Sequence, residues 1–162
     1  MAIMSSILIP SFTSKVKYSD VKLNAELVRG SLVNAQVMAL ANSSERIKQM
    51  CLPGSATANA DYVYVDYLPP SDTTQYFSVQ IKVGGPDLPP SNSCSIENPK
   101  QLSSNLKLDG PARVFFKTGT GEIQFLPADS LTEATVVISA KTGNLTPVNV
   151  TVNKATGQIR VE

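Results

Sequence analysis

The sequence predicts an α+β chain: a long N-terminal α-helix packed on an antiparallel β-sheet head. Three observations carry that expectation. Apolar residues recur every three or four positions over the first forty residues. No comparable helical period returns after Glu45. The remainder breaks into short alternating or β-branched runs, punctuated by Pro, Gly, Ser and Asn.

The helix is expected over 1–44, and the β-rich head over 45–162. Within the helix, 19–44 is amphipathic. Val21, Ala25, Val28, Leu32, Ala35 and Ala39 form one apolar stripe, of which Val28, Leu32, Ala35 and Ala39 are the natural cover for a sheet. Asn42-Ser43-Ser44 supplies the stop. The lead segment, 1–18, is apolar from its start: Ile3, Ile7, Leu8, Ile9, Phe12 and Val16. A helix from Ile3 to Ala41 would run about 58 Å at about 1.5 Å per residue, longer than a head of this size. Its first half should therefore stand uncovered, and an exposed apolar rod requires a membrane or a partner. Pro10 lies inside that rod and should kink or loosen it. The opening run is shorter than the roughly 20 residues that span a bilayer. It also lacks the basic leader and small-residue cleavage site of a signal peptide.

In the head, Tyr62–Tyr67 and Tyr76–Val83 read as strands. Ala112–Lys117 and Glu122–Leu126 flank Thr118-Gly119-Thr120-Gly121, a hairpin signature. Thr135–Ala140 is β-branched and apolar. Val148–Asn153 and Gln158–Glu162 alternate strictly around Lys154-Ala155-Thr156-Gly157, an antiparallel hairpin with one buried and one polar face. Pro- and Ser-rich loops lie between, at 68–72 and 84–91. The count of expected strands is about six or seven.

Composition removes several function classes. The chain has no histidine, so neither a Ser-His-Asp nor a Cys-His catalytic site can form, and the commonest zinc ligand is missing. No nucleophile–base constellation points to an enzyme, and no cofactor is expected. Fourteen basic residues against thirteen acidic ones give no general attraction to nucleic acid or to anionic lipid. Cys51 and Cys94 read either as two unrelated thiols or as one disulfide. The disulfide is the favoured reading and implies an oxidising compartment. Asp61, Asp66 and Asp72 lack the dense spacing of a calcium loop. Tyr62, Tyr64, Tyr67, Tyr76 and Phe77 fit core positions or cross-strand pairs better than a ligand surface.

The stretch AIMSSILIPSFTSKVKYSDVKLNAELVRGSLVNAQVMALA resembles the second half of a type IV pilin N-terminal helix, in which an apolar segment carries a proline followed by an aromatic. Pro10 and Phe12 occupy those places. The rest is similar to the H-type pseudopilins of type II secretion and the FimT-like minor pilins. In these a linker and a strand that often closes on a cysteine follow the helix, here Arg46–Cys51. An aromatic-then-glycine hairpin comes next, here Phe115–Gly121, and then a closing hairpin, here Val150–Val161. The tryptophan-containing strand of the minor pilins is replaced by Asp61–Tyr67, and Cys94 is far from the C-terminal disulfide loop of major pilins. The likeness implies that the leader and the glycine-phenylalanine-glutamate start of the mature helix precede Met1.

The resemblance further implies a non-enzymatic filament subunit of a type IV pilus or type II secretion pseudopilus. It would oligomerise with itself or with other pilins, and would sit in the inner membrane before assembly into a periplasmic or extracellular filament. Ile3, Ile7, Leu8, Ile9, Pro10, Phe12 and Val16 would then lie in the filament core. Some relatives bind DNA through a basic closing hairpin, which here offers Lys154 and Arg160. Two cations would give weak, salt-sensitive binding, and a solvated strand face is the competing expectation.

Overall fold

The computed structural model describes residues 3–53, 59–71, 76–86, 92–110, 113–126 and 130–162, with side chains of the first helix from Tyr18 onward. Helix α1 spans Ile3–Ala41 and runs through Pro10 without a break. The side chains of Ile3, Ile7, Leu8, Ile9, Pro10, Phe12 and Val16 lie outside the described residues. The expected stripe is the buried one: Val21, Ala25, Val28, Leu32, Ala35 and Ala39 are all fully buried. At its C-terminal end, Asn42 Nδ2 donates to the Met38 carbonyl at 3.1 Å. The Gly119 amide, from a turn in the head, donates to the Ala39 carbonyl at 2.8 Å. Both are carbonyls that a helix end leaves without intrahelical partners.

The segment after α1 corrects the expectation of a linker leading into a strand. A second helix, α2, spans Ser44–Gln49. Ser43 caps it, its side chain accepting from the Arg46 amide, with Glu45 in the first turn and Ile47 buried beneath. Six residues are too few for a helical period to register in sequence, whereas the cap is local.

Among the described residues ten strands follow: β1 Tyr62–Leu68, β2 Ser78–Gly84, β3 Ser93–Ser95, β4 Lys100–Gln101, β5 Leu106–Asp109, β6 Arg113–Lys117, β7 Ile123–Leu126, β8 Glu133–Ala140, β9 Val148–Asn153 and β10 Ile159–Val161. They form two antiparallel sheets. One has the order β3-β2-β1-β6-β7, with β4 also paired to β2. The other has the order β10-β9-β8-β5. The expected hairpins are both present, β6–β7 and β9–β10. The surplus over six or seven strands is β3, β4 and β5, pieces of two to four residues. These are too short to display an alternation.

The main core lies between α1 and the inward faces of both sheets. It joins the helix stripe to Val63 and Val65 of β1, Val114 and Phe116 of β6, Val136 and Ile138 of β8, and Val150 and Val152 of β9. Side-chain alternation sends Tyr62, Tyr64 and Asp66 to the other face of β1. There Tyr64 stacks on its cross-strand partner Phe115, with ring centroids 4.8 Å apart, and Tyr62 meets the same ring edge-on at 6.2 Å. Asp66 is buried beside them. Its carboxylate takes Lys82 Nζ at 2.7 Å and Arg113 Nε at 2.9 Å, one cation from each flanking strand. A carboxylate held by two cations in the sheet is a structural ion cluster. Asp61 stands apart, its amide bonded to the Gly84 carbonyl, and Asp72 lies outside the described residues. Among the described residues no group of acidic or thiol side chains could hold a metal ion.

Candidate assembly surface

A helix that buries one face can offer the other. At about 100° per residue, positions 23, 27, 30, 34, 37 and 41 fall on one line, opposite the buried stripe. They are occupied by Leu23, Leu27, Gly30, Asn34, Val37 and Ala41, of which Leu27 is half-buried and packs against the core. Leu23 is 69% exposed and Val37 54%. Carried upstream by the same spacing, the line reaches sequence positions 20, 16, 13 and 9, which are Asp20, Val16, Thr13 and Ile9. Scattered exposed apolar side chains are ordinary on a protein surface; on this line the two large ones, Leu23 and Val37, lie two heptads apart along the same face.

The helix is fixed on the head by polar ties near both ends of its buried part. At the N-terminal side, Asn24 is buried and bonded on several sides. Its Nδ2 donates to the Asp20 carbonyl at 2.8 Å and to Ser103 Oγ at 3.2 Å, while its Oδ1 accepts from the Ser103 amide at 3.1 Å. Ser103 Oγ in turn donates to Asp20 Oδ1 at 2.7 Å. At the other side, Gln36 Nε2 donates to the Gly157 carbonyl at 3.0 Å. No sequence signal marks Asn24, because its partner is 79 residues away.

Beyond Gln36, the last turn of α1 runs between two hairpin turns, β6–β7 and β9–β10. Between them lies an open groove of about 350 Å³, lined by Gln36, Leu40, Gly121, Ile123, Ala155 and neighbouring turn residues. Leu40 is 53% exposed in its wall. Gly121 has φ +68, a backbone conformation that favours glycine, and its α-carbon faces the Leu40 side chain. A second hollow of about 270 Å³ adjoins it, sharing Lys154 and Ala155 and reaching Leu131, which is 42% exposed.

The two cysteines form a disulfide, with Cα atoms 5.7 Å apart. It ties the exit of α2 to β3, and the Leu52 amide donates to the Ser95 carbonyl beside it at 2.8 Å. The link thus fastens the helix-to-head connection to a sheet edge. In the closing hairpin, Arg160 Nε pairs with Glu162 Oε1 at 2.6 Å, and its Nη2 lies 3.8 Å from Glu133 Oε1. Two carboxylates thus surround the one cation of β10. Lys154 stands in the turn, its amide bonded to the Thr132 carbonyl at 2.8 Å.

No family model, curated protein or solved structure matches the chain. Among the described residues no helix is long and apolar enough to cross a membrane.

Proposed function

We propose that the chain is a structural, pilin-like subunit that assembles through α1 into a filament of the type IV pilus or type II secretion kind. Its partners would be copies of itself or other pilins, and the inner membrane would hold it before assembly, in the bacterial cell envelope. The observation that carries this reading is the two-sided helix. One face of α1 is fully buried in the head, and the opposite face presents Leu23 and Val37 to solvent. Burying such side chains against a neighbouring helix would contribute about 1.5–3 kcal/mol each. The disulfide suits an oxidising compartment outside the cytoplasm.

The reading is tested by placing a photo-crosslinking residue in the purified chain at position 23, 37 or, as a control, 35. Positions 23 and 37 should yield crosslinked copies, and buried position 35 should not. Absence of products from both outward positions at high protein concentration would refute assembly through this face. The DNA-binding alternative gains nothing from Arg160, which two carboxylates already engage.

A further inference from the structure

Nothing within the described molecule requires position 30 to be glycine. Gly30 lies in the interior of α1, is exposed, and stands on the line opposite the buried stripe. Its φ is not positive. Among the described residues nothing beyond its own stretch of helix lies within 4 Å of the place a Cβ would take. Alanine would fit there, and a helix interior is more stable with alanine than with glycine. The isolated chain is thus less stable for a glycine that its own packing does not use. Resting on the assembly reading, we propose that Gly30 is where α1 of a second copy, running parallel, approaches closest, with a side chain of that copy seated over the bare backbone.

The surroundings of Gly30 fit a helix as the occupant. Leu23 and Val37 flank it at equal distance along the same face, and both are more than half exposed. Two large apolar side chains with a bare stretch between them make a hollow at helix spacing. Packed helix axes lie about 8–10 Å apart according to the side chains at the contact, and glycine permits the near end of that range.

The charges say which helix and in which direction. Between Val21 and Ala41 the charged residues are Lys22, Glu26 and Arg29. At about 100° per residue they all fall on one flank of the Leu23–Gly30–Val37 row, with Leu27, Asn34 and Met38 on the other. Glu26 and Arg29 pair with each other at 2.7 Å. In a parallel pair of copies the charged flank of each helix meets the uncharged flank of the other, so no like charges oppose. In an antiparallel pair the two charged flanks meet and set Arg29 beside Arg29 of the other copy, a like-charge contact that disfavours that direction. Parallel packing also brings the lead segments together. They carry no charged residue before Lys15, and side by side they cover apolar surface that antiparallel packing would leave in water.

The test compares the full chain with its Gly30→Ala and Gly30→Leu variants. In dilute solution Gly30→Ala should raise the urea midpoint, as alanine does at an open helix position. Sedimentation equilibrium at high concentration should show the opposite trend. Gly30→Leu should weaken self-association by about ten-fold or more, the order expected of a side chain forced into a packed contact, and Gly30→Ala should weaken it less. A gain in stability together with a loss of association is a pair of changes that a purely intramolecular role cannot produce. Mass spectrometry of the products crosslinked from position 23 should place the linked residue of the other copy in the N-terminal half of α1, and from position 37 in the C-terminal half. Products from 23 that map near 37 would overturn the parallel pairing. A lower urea midpoint for Gly30→Ala would show that position 30 is not open, and would also overturn the proposal. Association and crosslinking that survive Gly30→Leu unchanged would leave assembly standing and remove Gly30 from it. A parent chain that neither associates nor crosslinks would remove both readings together.

Discussion

Replacing Leu32 by alanine, and separately Leu23 by alanine, tests the two-sidedness of α1 on which every assembly statement depends. Leu32 is fully buried against both sheets, and Leu23, nine residues earlier on the same helix, is 69% exposed. Leu→Ala removes three carbons. At about 0.8 kcal/mol each, the lost transfer free energy is about 2.4 kcal/mol. The hole left between a helix and two sheets cannot close fully, so the total should fall at about 2–5 kcal/mol. For a chain of this size that lowers Tm by about 2–4 °C per kcal/mol. The same exchange at Leu23 should change monomer stability by no more than about 0.5 kcal/mol. Urea unfolding followed by far-ultraviolet circular dichroism and tyrosine fluorescence gives both numbers, with an unchanged slope confirming that the folded state is the same. Equal costs at the two positions, or a cost below about 1 kcal/mol at Leu32, would refute the docking of α1 and with it the outward face.

Three further outcomes are expected. Cys51→Ser with Cys94→Ser opens a 43-residue loop and should lower stability by up to about 4 kcal/mol in the chain-entropy model, read from the urea midpoint. Asn24→Ala leaves the Ser103 amide without its acceptor at a buried site, and should cost about 1–3 kcal/mol in the same assay. Burial pushes the Tyr67 phenol well above its ordinary value of 10.0, and its hydroxyl is buried without a partner among the described residues. The unfolded chain ionises this phenol first, so stability is retained below about pH 10 and falls above it. Tyr67→Phe should be neutral or stabilising at pH 7 and should shallow that alkaline decline.

What could be read in advance depended on how local the physics is. The stripe from Val21 to Ala39 is visible because a helix repeats its buried face every three or four residues. The hairpins at Thr118–Gly121 and Lys154–Gly157 are visible because their turns demand glycine at fixed positions; Gly119, Gly121 and Gly157 all have positive φ. The features that escaped detection depend on distant partners. Asp66 is a charged residue within an expected strand, and nothing local marks it as buried; register brings Lys82 and Arg113 to its two sides. Strands β3 and β4 exist as pieces hydrogen-bonded to the edge of β2, with too few residues to show a pattern. Leu23 and Val37 read as widening the apolar stripe, yet the structure leaves them 69% and 54% exposed. The groove is not legible either, since residues near 40, 121 and 155 meet only once both sheets are folded.

The apolar stripe cannot by itself fix where α1 sits along the head. Its members repeat at seven residues: Val21, Val28 and Ala35 form one series, and Ala25, Leu32 and Ala39 the other. Sliding the helix by one heptad, about 10 Å, would set apolar residues on apolar sites again. The polar ties do not repeat. A slip in one direction or the other would bring Ser31 or Lys17 to the place of Asn24; an ammonium cannot accept from the Ser103 amide, and a hydroxyl with one proton cannot make both of the donations that Asn24 Nδ2 makes, to a helix carbonyl and to Ser103 Oγ. At the far end the same slip would carry Gln36 away from the Gly157 carbonyl and the Ala39 carbonyl away from the Gly119 amide. Each tie contributes little net free energy, but a buried polar group left unpaired costs about 1–3 kcal/mol, and the slip would unpair several at once. Hydrophobic burial therefore makes the helix adhere, and hydrogen bonds select its register. That register sets how far the lead segment extends from the head, which is the length any partner must match.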